Sequence, residues 1–543
     1  MPREESPDGL QGILIRLEKV EAELGLTKEK LAAARAELAL KDQLIEALQQ
    51  RLFGSKSERL DPAQLQLLLD ANAMGKPEAP PQDGEAAAEE PEPGQGSARP
   101  RRRKADRFPK NLKVVIENVL VHPEVEANPE NFEEIEGEEY HDELEVVRPQ
   151  LYWRRTVLKK HRSKLDKTRP PLRARAPVPT LPGTLCGAGL AAMIVVDKFC
   201  DHLPYYRQSL RMWRRFEAQI GRQTLGSWAH AVAGHLGVIG EAIKDELFEA
   251  SCLEVDEAPM RYLCPGHGKT KQGYHWVYLD ARRKIVLYDW QLGRGLDCLL
   301  EIIGLDEETG MTQFQGTIQC DGFSAYEALV KRYGGIVLAG CMAHIRRKFF
   351  EARKQSPEAV LPILLENQKL YLIEEQLRMT QAPPVCRALV RQARSRPVVE
   401  ELYGRIFQEK ESALHLPASN LGKALNYALG QWEKFCRYLS DGELEIDNNL
   451  VENAIRPTRL GEKNYLFFGS AEAGNNNALL YTLVENCRLN ELDPENYLEE
   501  VIRALPADAT VEQAAEWTPR QYAARMGASQ ASEAEGEDAA GAA

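Results

Sequence analysis

Apolar residues recur every seven positions near the start of the chain. Leucine or isoleucine stands at each seventh residue from Leu10 to Leu52, and a second apolar position in each heptad is filled less regularly. A 3.5-residue repeat of this length is typical of a coiled coil. We therefore predict a helical oligomerisation arm over residues 1–60, although a long helix packed on its own protein has the same pattern.

The seven-residue repeat ends near residue 52, and the segments that follow have other patterns of apolar and polar residues. Residues 61–110 are predicted to hold a short helix and a disordered, Pro- and Glu-rich linker that ends in a basic run. Alternating apolar and polar residues predict a small β-rich, DNA-binding module over 111–178, with Tyr152 and Trp153 in its core. Three helical segments over 179–249 are predicted as a helix-turn-helix-like DNA-binding module, which a plain helical bundle would resemble.

Strand-like and helical segments alternate from residue 250 onward. Antiparallel strands followed by strand–helix steps predict the first part of an α/β core over 250–350. A mostly helical insertion is expected over 351–440, because one strand–helix step cannot fill so long an interval. The core then resumes over 441–486 and is followed by closing helices over 487–525 and a disordered tail over 526–543, which completes a multidomain α/β chain.

Length and charge restrict the class of protein. The chain has 543 residues, 43% of them hydrophobic, which is enough for several globular domains. It contains no apolar run of transmembrane length and no signal-peptide pattern, so we expect a cytoplasmic protein without a membrane partner. The net charge of −13 counts mildly against a nucleic-acid partner unless basic residues cluster locally.

Three acidic residues stand where a site for phosphoryl transfer is expected. Asp256 and Asp321 belong to two strand-like segments and are predicted at or near strand ends. Glu452 lies in the first turn of a predicted helix that should end or kink at Pro457. Carboxylates in this arrangement suit paired Mg²⁺ or Mn²⁺ ions. An ion pair between Glu452 and Arg456, four residues apart on a helix surface, is the plainer alternative.

Basic side chains cluster at three places that are candidates for contact with DNA phosphates. One cluster ends the linker, the second lies at the edge of the β-rich module, and the third opens a predicted helix. Solvated charge runs with no ligand would have the same composition. The candidates are Arg99, Arg101, Arg102, Arg103, Lys104, Arg154, Arg155, Lys159, Lys160, Arg346, Arg347 and Lys348.

Several short motifs follow one another in order between residues 50 and 500. They include Val255-Asp256-Glu257, Cys320-Asp321-Gly322-Phe323, Cys341-Met342-Ala343-His344, Asp447-Asn448-Asn449 and Ala454-Ile455-Arg456-Pro457. Together with Glu452 these motifs resemble the DDE transposases of bacterial insertion sequences, specifically the insertion-sequence-66 family. Two Cys-x-x-His pairs begin at Cys264 and Cys341. Together they could supply the four ligands of a structural zinc ion, but we do not favour this interpretation.

The resemblance implies an RNase H-like catalytic core that cuts DNA at the ends of an insertion sequence and joins the 3′-hydroxyl to target DNA. Asp256, Asp321 and Glu452 would hold two Mg²⁺ or Mn²⁺ ions, and Arg456 and Lys463 would neutralise phosphate. The implied partners are terminal inverted repeats, target DNA, further copies of the chain and accessory proteins of the same element.

Two alternatives stay open beside the transposase interpretation. An RNase H-like nuclease would use the same three carboxylates without strand transfer, and an inactive scaffold would only bind DNA. The resembled family usually has a cysteine-based zinc motif in the β-rich region. This chain has no cysteine before Cys186, so the resemblance implies no zinc there.

Overall fold

The computed structural model describes residues 149–161 and 179–528 apart from 265, 267, 307 and 413, together with 164, 172, 173 and 177. All of these lie in one compact unit, Asp142–Ala543. The predicted coiled coil, the linker and its basic residues 99–104 lie outside the described residues. None of the described helices is long and apolar enough to cross a membrane.

A six-stranded sheet forms the centre of the described part of the chain, beside a separate two-stranded pair. The pair consists of β1 and β2, which are antiparallel. The bounds are β1 (Lys160–His161), β2 (Leu172–Arg173), β3 (Cys252–Leu263), β4 (Thr270–Asp280), β5 (Ile285–Gln291), β6 (Leu305–Asp306), β7 (Met311–Gln319) and β8 (Gly334–Ala339).

Strand β3 lies in the middle of the sheet and changes the direction of pairing. On one side it pairs antiparallel with β4, which pairs antiparallel with β5. On the other side it pairs parallel with β7, which pairs parallel with β8 and antiparallel with the short β6. The strand order is therefore β5-β4-β3-β7, with β6 and β8 both attached to β7.

Helices surround this sheet and fill the interval predicted as an insertion. A π-helical turn, Arg391–Ser395, separates α8 from α9. The helices are α1 (Ala188–Phe199), α2 (Tyr205–Phe216), α3 (Arg222–Phe248), α4 (Leu296–Ile303), α5 (Ser324–Arg332), α6 (Met342–Ala352), α7 (Pro357–Met379), α8 (Pro384–Val390), α9 (Arg396–Glu411), α10 (Asn420–Cys436), α11 (Asn449–Tyr465), α12 (Ala471–Leu489), α13 (Pro494–Ala504) and α14 (Val511–Ala515).

The three helices predicted before residue 250 are confirmed as α1, α2 and α3. Their apolar faces do not form a separate core, because α1 packs on α13 and α3 packs on α12 and β5. Buried Ile194, Leu236 and Val255 belong to one continuous hydrophobic core that runs from these helices into the sheet. Residue 250 is thus a point where helix gives way to strand within one core.

Helix α12 covers the free edge of β5 with polar side chains. The Asn486 amide group accepts a hydrogen bond from the Val286 N–H at 3.1 Å and donates one to the Val286 carbonyl at 2.6 Å. Thr482 Oγ1 accepts a hydrogen bond from the Tyr288 N–H at 2.9 Å. The backbone groups that an edge strand leaves unpaired are therefore satisfied by a helix.

Helices α7 to α10 confirm the predicted helical character of residues 351–440. Arg391 is fully buried and donates two hydrogen bonds to the Glu374 carboxylate, at 2.7 and 2.8 Å. Its remaining nitrogen donates to the carbonyls of Tyr438 and Asp441 at 3.0 and 2.8 Å. Because a buried charge needs full pairing, this contact ties the insertion to the segment that leads into α11.

Helix α11 does not end at Pro457, which was one of the two outcomes expected there. The helix continues from Asn449 to Tyr465 with Pro457 inside it. Its buried stripe, which includes Val451, Ile455 and Gly461, continues past the proline. Proline leaves the carbonyl of Asn453 without its helical donor, and Asn453 is exposed, so water can satisfy that carbonyl.

Candidate active site

The register of two parallel strands brings Asp256 and Asp321 to neighbouring positions. In this register Glu254 of β3 lies opposite Gln319 of β7. Asp256 follows Glu254 by two residues, and Asp321 follows Gln319 by two residues, so the aspartates occupy equivalent places on adjacent strands. The expected place of Asp256 at a strand end is wrong, because β3 continues to Leu263. Asp321 lies just beyond the end of β7, as expected.

Helix α11 is anchored on β3 by a buried hydrogen bond at its first turn. The Val451 N–H donates to Glu254 Oε2 at 3.1 Å, and Glu254 is almost completely buried. Burial raises the pKa of Glu254, and the hydrogen bond from Val451 opposes that rise. Glu452, the next residue, is consequently held near the two aspartates, although it lies far from them along the chain.

Electrostatic interactions join the three predicted carboxylates into one site. The pKa of Asp256 is raised to about 7, first by burial and then by the negative charges of Glu257, Asp321 and Glu452. Asp256 Oδ1 accepts a hydrogen bond from the Glu257 N–H at 2.8 Å, which opposes the rise. Burial and the neighbouring negative charges together outweigh this hydrogen bond.

Glu452 is paired with basic residues of α6. Arg347 Nη2 donates to both oxygens of Glu452, at 3.3 and 3.2 Å. His344 Nε2 lies 3.7 Å from Glu452 Oε1. Burial lowers the pKa of His344, and the charge of Arg347 lowers it further. The ion pair between Glu452 and Arg456, which was the plainer alternative, is absent among the described residues, and Glu452 is paired with Arg347 instead.

A second buried carboxylate lies beside Asp256 but has its own partners. Glu257 is ion-paired with Arg294, and Tyr326 Oη donates to Glu257 Oε2 at 3.1 Å. The guanidinium of Arg294 lies 3.8 Å from the ring centre of Phe323. Neither Arg294 nor Tyr326 was a candidate from the sequence, since both contacts join distant segments.

The carboxylates do not form a closed metal-binding group as they stand. Among the described residues, no three His, Cys, Asp or Glu side chains converge on a common point that would hold an ion. The pairing of Glu452 with Arg347 accounts for this arrangement. The thiol of Cys341, one member of the Cys-x-x-His pairs, donates to Asn448 Oδ1 at 2.8 Å, while His267 of the other pair lies outside the described residues.

Comparison with known proteins gives the family. The profile described as "Transposase IS66 family" matches residues 183–476, which include all three carboxylates. The chain belongs to this family. A second profile, "Transposase C of IS166 homeodomain", matches residues 40–116, which the structure does not describe.

Relatives of this IS66-family transposase occur in Sinorhizobium fredii (strain NBRC 101917 / NGR234). The uncharacterized protein y4qI is 30% identical over 535 residues, which cover 92% of this chain and 95% of the relative. The uncharacterized protein y4jD is 30% identical over 390 residues, which cover 69% of this chain and 73% of the relative. The similarity to y4qI thus extends through the site and well beyond it.

The other candidate residues of the IS66-family transposase occupy several surfaces. Arg456 and Lys463 are exposed on α11, and Lys348 is exposed on α6 beside the half-buried Arg346. The basic residues of the 154–160 segment are exposed as well. The prediction that Tyr152 and Trp153 pack in a core is wrong, because they are 76% and 79% exposed in a segment with little regular structure. DNA contact by this segment stays a prediction.

Proposed function

We propose that this protein is a DNA transposase that cuts at the ends of its element and joins the freed 3′-hydroxyl to target DNA. Asp256, Asp321 and Glu452 are the proposed catalytic carboxylates. The parallel register that sets Asp256 beside Asp321, with the Glu452 helix anchored on the same strand, is the observation that carries the proposal.

The sheet order supports an RNase H-like assignment of the core. Three antiparallel strands, β3 to β5, are followed by β7 and β8, which continue the sheet in parallel with β3. One aspartate lies on the central strand, one follows the adjacent parallel strand, and the glutamate lies on a helix that packs across β3. This arrangement of the carboxylates supports the two-metal hypothesis.

The chemistry of the donor set fits a divalent cation. The pKa of Asp256 is raised first by burial and then by the negative charges of Glu257, Asp321 and Glu452, and a cation among these oxygens would remove the repulsion between them. Carboxylate oxygens are the ligands that Mg²⁺ and Mn²⁺ prefer. Two such ions, held by Asp256, Asp321 and Glu452, would supply activation of the attacking hydroxyl and stabilisation of the leaving 3′-oxygen.

The protein's own residues would prepare the site in two ways. Glu452 must exchange its contact with Arg347 for a place among the ligands, which frees the Arg347 guanidinium to neutralise a DNA phosphate beside the scissile bond. Asp256, half-protonated near pH 7, would release its proton as the site gains positive charge. Arg456 and Lys463 extend the positive surface along α11.

DNA and further copies of the chain are the proposed partners. Terminal inverted repeats and target DNA would contact the exposed basic residues, and two copies would bring the two element ends together. Accessory proteins of the same element are a further proposal that follows from the family.

The test is strand cutting and joining by Asp321 variants on duplexes that carry the element ends. Asp321→Asn keeps the shape of the side chain and should reduce cutting by several orders of magnitude while DNA binding survives. Asp289→Asn is the matched control: Asp289 lies on β5 of the same sheet, and burial raises its pKa to about 6 without any of the three carboxylates among its causes.

Supplying pre-cut ends separates the alternatives. Joined products support the transposase. Cutting without joining would support the nuclease alternative, and DNA binding without any strand cutting would support the inactive scaffold. Full activity of Asp321→Asn in Mg²⁺ would remove Asp321 from the site.

A further inference from the structure

Helix α2 has an exposed face of unusual composition. Tyr206, Leu210 and Trp213 are 60%, 41% and 55% exposed and lie on one side of the helix, at spacings of four and three residues. Exposed Arg207 and Arg214 flank them on the same side. Gln208 and Met212 occupy the opposite side and are buried, so the orientation of the helix is fixed.

Most of the positive charge of this helix is not compensated by ion pairs with other described residues. Helix α2 contains four arginines and no acidic residue. Arg211 is paired with Asp197, but among the described residues no carboxylate forms an ion pair with Arg207, Arg214 or Arg215. In a chain with a net charge of −13, such a patch is a local basic surface, which is complementary to an anionic partner such as DNA.

Helix α2 is also attached to the helix that bears Glu452. Arg207 Nη1 donates to Asn464 Oδ1 at 3.2 Å, which connects the first turn of α2 to the last turn of α11. Glu452, Arg456 and Lys463 lie on one face of α11, because spacings of four and eleven residues return to nearly the same side. A line of exposed basic residues therefore leads from the carboxylates to α2.

The length of this line corresponds to a short stretch of duplex. From Glu452 to Lys463 the helix rises about 17 Å at about 1.5 Å per residue. That distance equals about five base pairs at about 3.4 Å each. A duplex that has its scissile phosphate near Glu452 and follows α11 would reach α2 at about the fifth base pair.

We propose that the face of α2 formed by Tyr206, Arg207, Leu210, Trp213 and Arg214 binds the duplex DNA that flanks the cleavage site. The two arginines contact phosphates, and the aromatic and apolar side chains lie against sugars and base edges in the adjacent groove. This assignment rests on the proposed function for its substrate. It differs from a standard helix-turn-helix, where the second helix enters the groove, because ten residues of the second helix here, α3, are buried in the core.

The first test measures how binding of the full chain to a fluorescent 30-base-pair duplex depends on salt. Removing two phosphate contacts with R207Q/R214Q should reduce the slope of log K against log salt by about 1.8. The loss of affinity between 50 and 200 mM salt would then be about tenfold smaller than in the wild type. The control K331Q/R332Q removes two exposed charges at the end of α5 and should keep the wild-type slope.

The second test locates the contact and does not depend on strand cutting. Leu210→Cys, labelled with a photo-crosslinker, should crosslink the duplex about five base pairs from a nick that marks the cleavage position. Crosslinks with a reduced salt slope for R207Q/R214Q would support the face even if the protein never cuts DNA. Normal cutting by R207Q/R214Q with an unchanged slope would overturn the face and leave the transposase proposal intact.

A protein partner is the competing occupant of this face. L210S/W213S should weaken DNA binding and leave the molar mass from light scattering unchanged. A drop in molar mass with unchanged DNA binding would show that the face joins copies of the chain, and would overturn the proposal.

Discussion

Replacing Asp256 with asparagine should make the metal-free protein more stable and at the same time inactive. The folded protein raises the pKa of Asp256 from 3.8 to about 7, mainly by burial and then through neighbouring carboxylates. At about 1.4 kcal/mol per pKa unit, the charged form costs the folded state about 4 kcal/mol. Solvent reaches part of the side chain, so we expect a gain of about 2 to 4 kcal/mol from Asp256→Asn.

The sign of the effect sets its pH dependence. Because the folded pKa lies above the unfolded one, the folded state binds more protons between about pH 3.8 and pH 7. The cost of Asp256 is absent below this interval, grows through it and is fully present above pH 7. The advantage of Asp256→Asn over the wild type should therefore increase from pH 4 to pH 7 and then stay constant.

Thermal unfolding in EDTA and in Mg²⁺, from pH 5 to pH 8, would measure both consequences. Mg²⁺ should raise the unfolding midpoint of the wild type and of Asp289→Asn. The midpoint of Asp256→Asn should rise much less. If Asp256→Asn were less stable than the wild type at pH 8 without metal, the electrostatic reasoning would be refuted. An equal response to Mg²⁺ in Asp256→Asn and the wild type would refute the role of Asp256 as a ligand.

Three further predictions concern residues around the site and in the core. Arg347→Gln should lower the Mg²⁺ concentration needed for half-maximal cutting, because Arg347 competes with the metal for Glu452. The same variant should reduce the cutting rate at saturating Mg²⁺ about 10- to 100-fold. An unchanged Mg²⁺ requirement would contradict this competition. Lys198→Met should stabilise the protein by about 2 to 4 kcal/mol in urea unfolding at pH 7, because burial lowers the pKa of Lys198 from 10.5 to about 7. This gain in stability should decrease as the pH approaches 10.5. Gly442→Ala should cost about 3 kcal/mol in the same assay, because the added Cβ would lie 1.7 Å from the Pro384 carbonyl oxygen, and a wild-type midpoint would disprove that contact.

Periodicity predicted the order of most elements but not the extent of β3. Asp256 was expected at or near a strand end, but β3 continues to Leu263 and contains Pro259, a residue that is unfavourable inside a central strand. In the structure Pro259 pairs with Tyr274 of β4. The pairing of β3 with β7 ends at Glu254 and Gln319, and the next partner on that side is Phe468, which forms an isolated bridge with Tyr262. Pro259 thus occupies an edge-like position, and its carbonyl accepts a hydrogen bond from Arg459 instead of a third strand.

Contacts between distant segments account for what the sequence could not predict in the site. Asp256, Asp321 and Glu452 were candidates because their residue types and predicted elements suit metal binding. The pairing of Glu452 with Arg347, and of Glu257 with Arg294, depends on tertiary packing that brings α6 and the loop before α4 to β3. Arg347 was predicted to contact DNA phosphates because of its charge alone. Its ion pair with Glu452 shows that it also contacts one of the three predicted carboxylates.

The cover that α12 provides for β5 has a consequence for incomplete chains. Thr482 and Asn486 supply hydrogen bonds to backbone groups of the edge strand, and they are synthesised long after β5 itself. A product of a frameshift or premature stop between Glu452 and Thr482 would retain the three carboxylates but leave the β5 edge bare. Bare edges pair with one another, so such fragments should aggregate and be degraded rather than compete with intact copies for DNA. The edge of β5 is therefore protected only in chains that are long enough to include α12.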